Sequence, residues 1–309
     1  MLLYRGTALS NGNKSTHSPY DVFTVNKFSF SEHTTYGCGG FAEEAYFPTD
    51  AAKTAFIYDK LTSDNKKIYI IGNGSNILAA DGIINGAVIS TKRLIGIKKT
   101  AQDGVFCRSG TTVTALLHFC VTHGLSGLEF LAGIPATVGG LVLMNGGAGG
   151  KFIGGRVSAV KFYDGKLRTF SNNDCNFGYK YSIMRDINGI ITGCCLNLDR
   201  SDSKTVKDNI DFFLKKRSIQ PKGKSCGCVF KNPDGLSAGK LIEDAGLKGL
   251  KLGCAQVSAQ HANFIINTGD KSSDVYALIA EVKSRVFKRA KIRLEEEVVY
   301  IGDFNGADS

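Results

Sequence analysis

The segment Ser225-Cys-Gly-Cys-Val-Phe-Lys-Asn-Pro233 places a thiol, Cys228, three residues ahead of Lys231 and Asn232, with Ser237-Ala-Gly-Lys240 just beyond. A thiol can donate a proton, and the ammonium and amide groups beside it suit an anion. Gly223, Gly227, Pro233 and Gly235 make the segment an ordered loop or strand end, the kind of fixed connection on which binding and chemistry concentrate. The competing reading is packing, since an isolated cysteine is most often a small buried hydrophobe.

Two glycine-rich stretches offer a second kind of chemistry. Gly72-Asn-Gly-Ser-Asn76 follows the apolar run Ile68–Ile71, and its small residues allow backbone N–H groups to approach a phosphate. It is not a Rossmann fingerprint, because Ile77 stands where the third glycine belongs, and it lacks the G-K-[ST] of a P-loop. Further on, nine of the 23 residues from Gly133 to Gly155 are glycine. Such density costs conformational entropy and so needs a cause: backbone passing close to a large flat or phosphorylated ligand, or tight packing of helix on strand.

These groups need a scaffold, and 309 residues with 43% hydrophobic content can bury a large core in two or three domains. The net charge of +10 favours an anionic partner. Basic residues are scattered and do not interleave with aromatics, which argues against nucleic acid. No run approaches the length of a membrane span, and the start has no apolar signal-peptide core. The nine cysteines lack zinc-site or C-x-x-C spacing, so no metal is expected and free thiols in a reducing cytoplasm are the simplest account.

Residues 1 to about 35 are polar and turn-rich and read as partly unordered. Lys67–Ile71 and Ala87–Ser90 read as strands, and Thr112–His123 as a helix stopped by Gly124. Ala159–Tyr163 and Lys166–Phe170 form a hairpin about Asp164-Gly165. Asp208–Arg217 reads as a helix, ended by Pro221 at a domain boundary. Ser237 caps a helix to Ala245; Val275, Leu278, Ile279, Val282 and Val286 mark a longer one; Glu297–Ile301 reads as the last strand. The fold class is α+β.

In order and spacing, several motifs together resemble the UDP-N-acetylenolpyruvoylglucosamine reductase (UDP-N-acetylmuramate dehydrogenase) family. They are His33–Gly40, Gly72–Asn76, Gly133–Gly140, Asn145–Gly150, Phe177–Ser182, Ser225–Pro233, Ala238–Ile242, Val257–Asn267 and Leu294–Val298. With no extra substrate-covering loop in evidence, the chain resembles the shorter, type II branch. The resemblance implies a two-lobed FAD-binding region of the vanillyl-alcohol-oxidase (PCMH) type over 1–92 and 93–217. A substrate-binding domain over 218–296 follows, with a final strand, 297–303, that returns to the first lobe. It implies FAD and NADPH as cofactors, a UDP-sugar substrate, reduction of the enolpyruvyl group in peptidoglycan precursor synthesis, and a cytoplasmic monomer acting apart from membrane and nucleic acid.

The FAD contacts implied are Gly72, Asn73, Gly74, Ser75 and Asn76; Gly133, Ile134, Pro135, Thr137, Gly139 and Gly140; and Asn145, Gly146 and Gly149. Three positions match the catalytic set. Cys228 takes the place of the family's proton-donating serine, and a thiol is the stronger acid of the two. Lys180, in Tyr179-Lys-Tyr-Ser182, takes the place of an arginine, keeping the charge but losing the planar fork that grips a carboxylate; Arg185 is a neighbour able to compensate. Glu297 matches the catalytic carboxylate, and strand alternation would aim Glu295 with it and Glu296 oppositely. Tyr179, Lys231, Asn232 and Lys240 are implied substrate contacts, the last three for the diphosphate. His261 and Asn263 read as structural. The same features suit two other readings: a flavin oxidoreductase of this fold with another substrate, and a noncatalytic flavin or UDP-sugar binding protein.

Overall fold

The computed structural model describes residues 22–100 and 104–304. A first lobe is a four-stranded sheet in the order Phe23–Ser29, Phe41–Phe47, Ile83–Ser90, Ile68–Ile71, with the first pair antiparallel and the others parallel. Parallel strands are covered on both faces, and Ala87, Val88 and Ile89 are accordingly buried in succession. One cover is the helix Ala51–Ser63, whose start is fixed by Asp50, its carboxylate accepting from Lys53 N at 2.9 Å. The other is an apolar layer of Phe28, Phe30, Ala79 and Ile301.

The second lobe is an antiparallel sheet in the order Leu167–Ser171, Val157–Tyr163, Ile190–Asn197, Gly104–Arg108, Ile97–Lys99. Its core takes in residues of the helices Val113–His123, Val138–Met144 and Ser203–Arg217. The first of these is closed by Thr112, which accepts from Ala115 N at 3.2 Å, and by Gly124 in the left-handed region at φ 61°.

A third unit packs the short strands Lys251–Leu252, Ala255–Val257 and Ile265–Asn267 against the helices Ala238–Asp244 and Ser272–Ala290. A strand pairing and a helix cap are among the ties that bind it to the first lobe. The strand Val299–Ile301 pairs in parallel with Ile77–Ala79, and Asp81 caps the long helix from outside, accepting from Ser272 N at 2.9 Å and Ser273 N at 3.0 Å. Burial opposes its ionisation, but the bonds from Ser272 and Ser273 win and hold this carboxyl below its usual range.

Two expectations need correcting. The stretch up to residue 35 is ordered from Phe23 onward: an edge strand and a turn of helix, Phe30–His33, bury Phe28 and Phe30. The polar residues that made it read as a loop, such as Asn26 and Lys27, are exposed on that edge strand. Residues 1–21 lie outside the described residues. Gly139 and Gly140 likewise sit in the first turn of the helix Val138–Met144 and not in a loop. A Cβ at Gly139 would lie 2.7 Å from that of Ser109, so this glycine answers to the packing of the helix on the turn that follows the strand Gly104–Arg108.

Candidate active site

A cavity of about 1080 Å³ opens where the two lobes and the third unit meet. Its floor is built from the two glycine loops, which face each other. Asn73 Nδ2 donates to Pro135 O at 2.8 Å, and a Cβ on Gly72 would overlap the hydroxyl of Thr137. Gly74, at φ +67°, accepts from Thr35 N at 3.1 Å, and a Cβ there would run into the carbonyl of His33. Beside it the hydroxyl of Thr35 lines the cavity buried and without a hydrogen-bond partner. An orphaned hydroxyl over loops that leave no room for side chains is the setting that a phosphate-bearing cofactor completes.

Lys180 and Glu297 close a corner of the same cavity, Nζ to Oε1 at 2.7 Å, with only 16% and 14% of the side chains exposed. Both are held by backbone. Lys180 sits at φ 55° and its carbonyl accepts from Arg185 Nη1 at 2.9 Å. Glu297 N donates to Val229 O at 2.7 Å, and its carbonyl accepts from Asn76 Nδ2 at 2.9 Å, so the glycine loop positions the carboxylate. Cys228 lies on a segment clamped by Asn263, whose amide exchanges hydrogen bonds with Phe230 N and O at 2.9 and 2.8 Å. Burial, and then the charge of Glu297, push the Cys228 thiol up to about 11, against the opposing pull of Lys180 and Arg217. The thiol therefore carries its proton at neutral pH. Cys226 is turned inward, its Sγ donating to Tyr36 at 3.4 Å.

The remaining expected residues divide. Gly72 to Asn76, Gly133, Ile134, Pro135, Thr137, Gly140, Gly146, Gly149, Tyr179 and Asn232 line the cavity. Gly139, Asn145, Lys231 and Lys240 do not. The Asn145 side chain is buried away from the cavity, donating to Gly178 O at 2.7 Å and accepting from Gly154 N at 2.9 Å. It braces the loop that carries Lys180. Lys231 is spent on Glu295, and Lys240 pairs with Asp244 one helical turn along, at the surface. The acids do not alternate as a strand would have them. Regular pairing starts only at Val299, and Glu295, Glu296 and Glu297 each take a different lysine: Lys231, Lys283 and Lys180.

Two cavity residues carried no usable signal in the sequence. Arg217 ends a helix and Lys222 follows Pro221, both in a stretch that reads only as a domain boundary. Lys222 is exposed at the cavity, and Arg217 is half-buried.

Residues 220–301, which carry Cys228 and Glu297, match the family model described as UDP-N-acetylenolpyruvoylglucosamine reductase, C-terminal domain, and residues 43–166 match that described as FAD binding domain. The UDP-N-acetylenolpyruvoylglucosamine reductase of Halalkalibacterium halodurans is 38% identical over 89% of this chain and 93% of its own length. This chain belongs to that family. The reductase of Carboxydothermus hydrogenoformans is likewise 38% identical, over 88% of this chain and 92% of its own. The crystal structure of the Thermus caldophilus reductase superposes with a TM-score of 0.77 at 32% identity, covering 91% of this chain and 99% of that one. The two lobes form the FAD-binding region of the family fold and the third unit its C-terminal domain. Among the described residues no helix is long and apolar enough to cross a membrane.

Proposed function

We propose that this protein is an FAD-dependent reductase that uses NADPH to convert the enolpyruvyl group of UDP-N-acetylglucosamine enolpyruvate to the lactyl group of UDP-N-acetylmuramate. The reaction belongs to peptidoglycan precursor synthesis, and so to cell-wall growth, shape and division. The observation that supports this most directly is the corner at which a protonated thiol, Cys228, stands with the Lys180–Glu297 pair on the wall of a flavin-sized cavity. The membership of the chain in the family supplies the substrate class.

The residues present fit the cofactor: Gly72 to Asn76 and Gly133 to Thr137 would hold its diphosphate and ring surroundings. FAD, when bound, supplies the transfer of a hydride from NADPH to the methylene carbon of the enolpyruvyl group. The electron pair of the double bond then moves onto the neighbouring carbon and its carboxylate. Lys180 meets that negative charge, while Glu297 holds Lys180 in place and orients the carboxyl end. Cys228 gives its proton to the carbanionic carbon, leaving a thiolate that solvent reprotonates before the next turnover. A neutral thiol serves here better than a thiolate would. Desolvation therefore protects the donor instead of activating a nucleophile.

Tyr179, Asn232 and the exposed Lys222 are suited to the sugar diphosphate at the cavity mouth. The protein is proposed to act as a monomer in the cytoplasm. The purified protein should be yellow with bound FAD and should oxidise NADPH faster when the UDP-enolpyruvyl sugar is added. Bound FAD without substrate-dependent oxidation overturns the reading in favour of a binding protein. Oxidation supported only by other acceptors favours a flavin oxidoreductase with a different substrate.

A further inference from the structure

Among the described residues, three cationic side chains line the cavity: Lys180, Arg217 and Lys222. Lys180 is closed on Glu297. Lys222 lies exposed. Arg217 is different from both: it is half-buried, and its partners are neutral. Nε donates to Ala132 O at 3.0 Å and Nη1 to the amide oxygen of Gln220 at 3.2 Å; no carboxylate pairs with it among the described residues. A guanidinium taken partly out of water without an anion costs free energy, and burial accordingly holds its pKa below the usual arginine value.

Its position is also enforced. Gly133, at φ +77°, would bring a Cβ within 2.7 Å of Arg217 Cδ, so the glycine loop leaves a channel for this side chain into the cavity. Arg217 and Cys228 act on each other electrostatically, the cation pulling the thiol pKa down and the thiol raising that of the arginine. Arg217 thus lines the same cavity as Cys228 and the loop Gly133–Thr137. Arg185, the nearest arginine in sequence to Lys180, donates to the carbonyl of that residue and does not line the cavity.

We propose that Arg217 is the fork that binds the enolpyruvyl carboxylate, supplying the planar two-hydrogen-bond grip that a lysine at position 180 lacks. The proposal rests on the functional reading above for its ligand. A carboxylate accepting from Nη2 and a neighbouring N–H would neutralise the guanidinium and hold the enolpyruvyl plane against Cys228. The charge on that carboxylate grows as the double bond is reduced, so the same contact strengthens on the way to the transition state.

The test compares two ligands on the flavin-loaded protein: the UDP-enolpyruvyl sugar and UDP-N-acetylglucosamine, which has the same nucleotide sugar but no carboxylate. Binding is followed by the change in the oxidised flavin spectrum or by calorimetry. In Arg217→Met the affinity for the carboxylate ligand should fall ~10- to 100-fold, while that for UDP-N-acetylglucosamine stays within about twofold. Arg217→Lys, which keeps the charge and helix-compatible stem, should show an intermediate loss of the same selective kind, and it decides the matter if Arg217→Met does not retain flavin. Equal weakening of both ligands, or of neither, overturns the proposal. So does a shifted flavin reduction potential with unchanged discrimination between the ligands, which would place the guanidinium on the flavin. A wild-type protein that binds the enolpyruvyl sugar with this discrimination but does not reduce it would sink the reductase reading while leaving Arg217 in its role.

Discussion

In the proposed cofactor cradle at Gly72–Asn76 the surfaces offered are largely backbone, whereas at the proposed catalytic corner they are the tips of side chains arriving from positions 180, 228 and 297. In the cradle, an added methyl at Gly72 or Gly74 would strike Thr137 or His33, so residue type is dictated by space. At the corner, the proposed mechanism asks only for charge and an acidic proton. The family resemblance places an arginine and a serine where this chain has Lys180 and Cys228, and both departures keep the needed property. Backbone-built sites tolerate little exchange because every atom is fixed by the fold; side-chain-built sites admit substitutes of like chemistry.

The largest effect should follow from a change in the cradle. Gly74→Val puts a β-branched residue at φ +67° and a Cβ into the His33 carbonyl, backbone strain alone costing about 1–3 kcal/mol. The purified variant is expected to lose its flavin, read as the ratio of flavin to protein absorbance. A variant as yellow as the wild type would remove the cradle from the FAD site.

Next comes the proposed proton donor. Cys228→Ala should slow reduction of the enolpyruvyl sugar ~10²- to 10⁴-fold while reduction of the flavin by NADPH, followed separately by stopped flow, survives. Cys228→Ser should keep turnover or raise it, because the corner asks for a proton and not for sulfur. Normal turnover by the alanine variant would remove Cys228 from the mechanism.

A smaller effect is expected at Glu297. Glu297→Gln leaves Lys180 without its charged partner and should cost about 1.5–3 kcal/mol of stability, toward the lower end because the pair keeps some exposure. It also removes a charge that raises the Cys228 pKa. The midpoint for alkylation of Cys228, followed peptide by peptide, should therefore drop below about 11. An unmoved midpoint would break the electrostatic link between the two residues.

The smallest effect lies farthest from the cavity. Asp81→Asn weakens the cap of the helix Ser272–Ala290 and should cost ~1 kcal/mol, read as a lower thermal midpoint. The Asp81 carboxyl is held below its usual 3.8, so its contribution is present above that pH and lost as pH falls through the lower folded value. Alkali should act in the opposite sense. The thiols of Cys38, Cys107 and Cys120 are pushed by burial from 9.0 up to about 12, so stability is full below pH 9 and declines toward about 12 as the unfolded chain loses these protons first.

Much of this protein was legible along the chain. The helix Val113–His123 declares itself by spacing, by Thr112 at its start and by Gly124 at its end, because capping and left-handed turns are settled within a few residues. The glycine loops and Cys228 announce themselves in the same local way. The lysines do not. Lys231 and Lys240 stand in the right motifs yet turn to Glu295 and Asp244, while Arg217 and Lys222, in a stretch without a motif, face the cavity. Asn145 fits the cofactor pattern but braces the Lys180 loop through Gly178, 33 residues away. Residue types and local turns were decided by the sequence. The direction of each long side chain, and the meeting of Lys180 with Glu297, were decided only by tertiary packing, because a flexible stem takes whichever partner distant segments bring within reach.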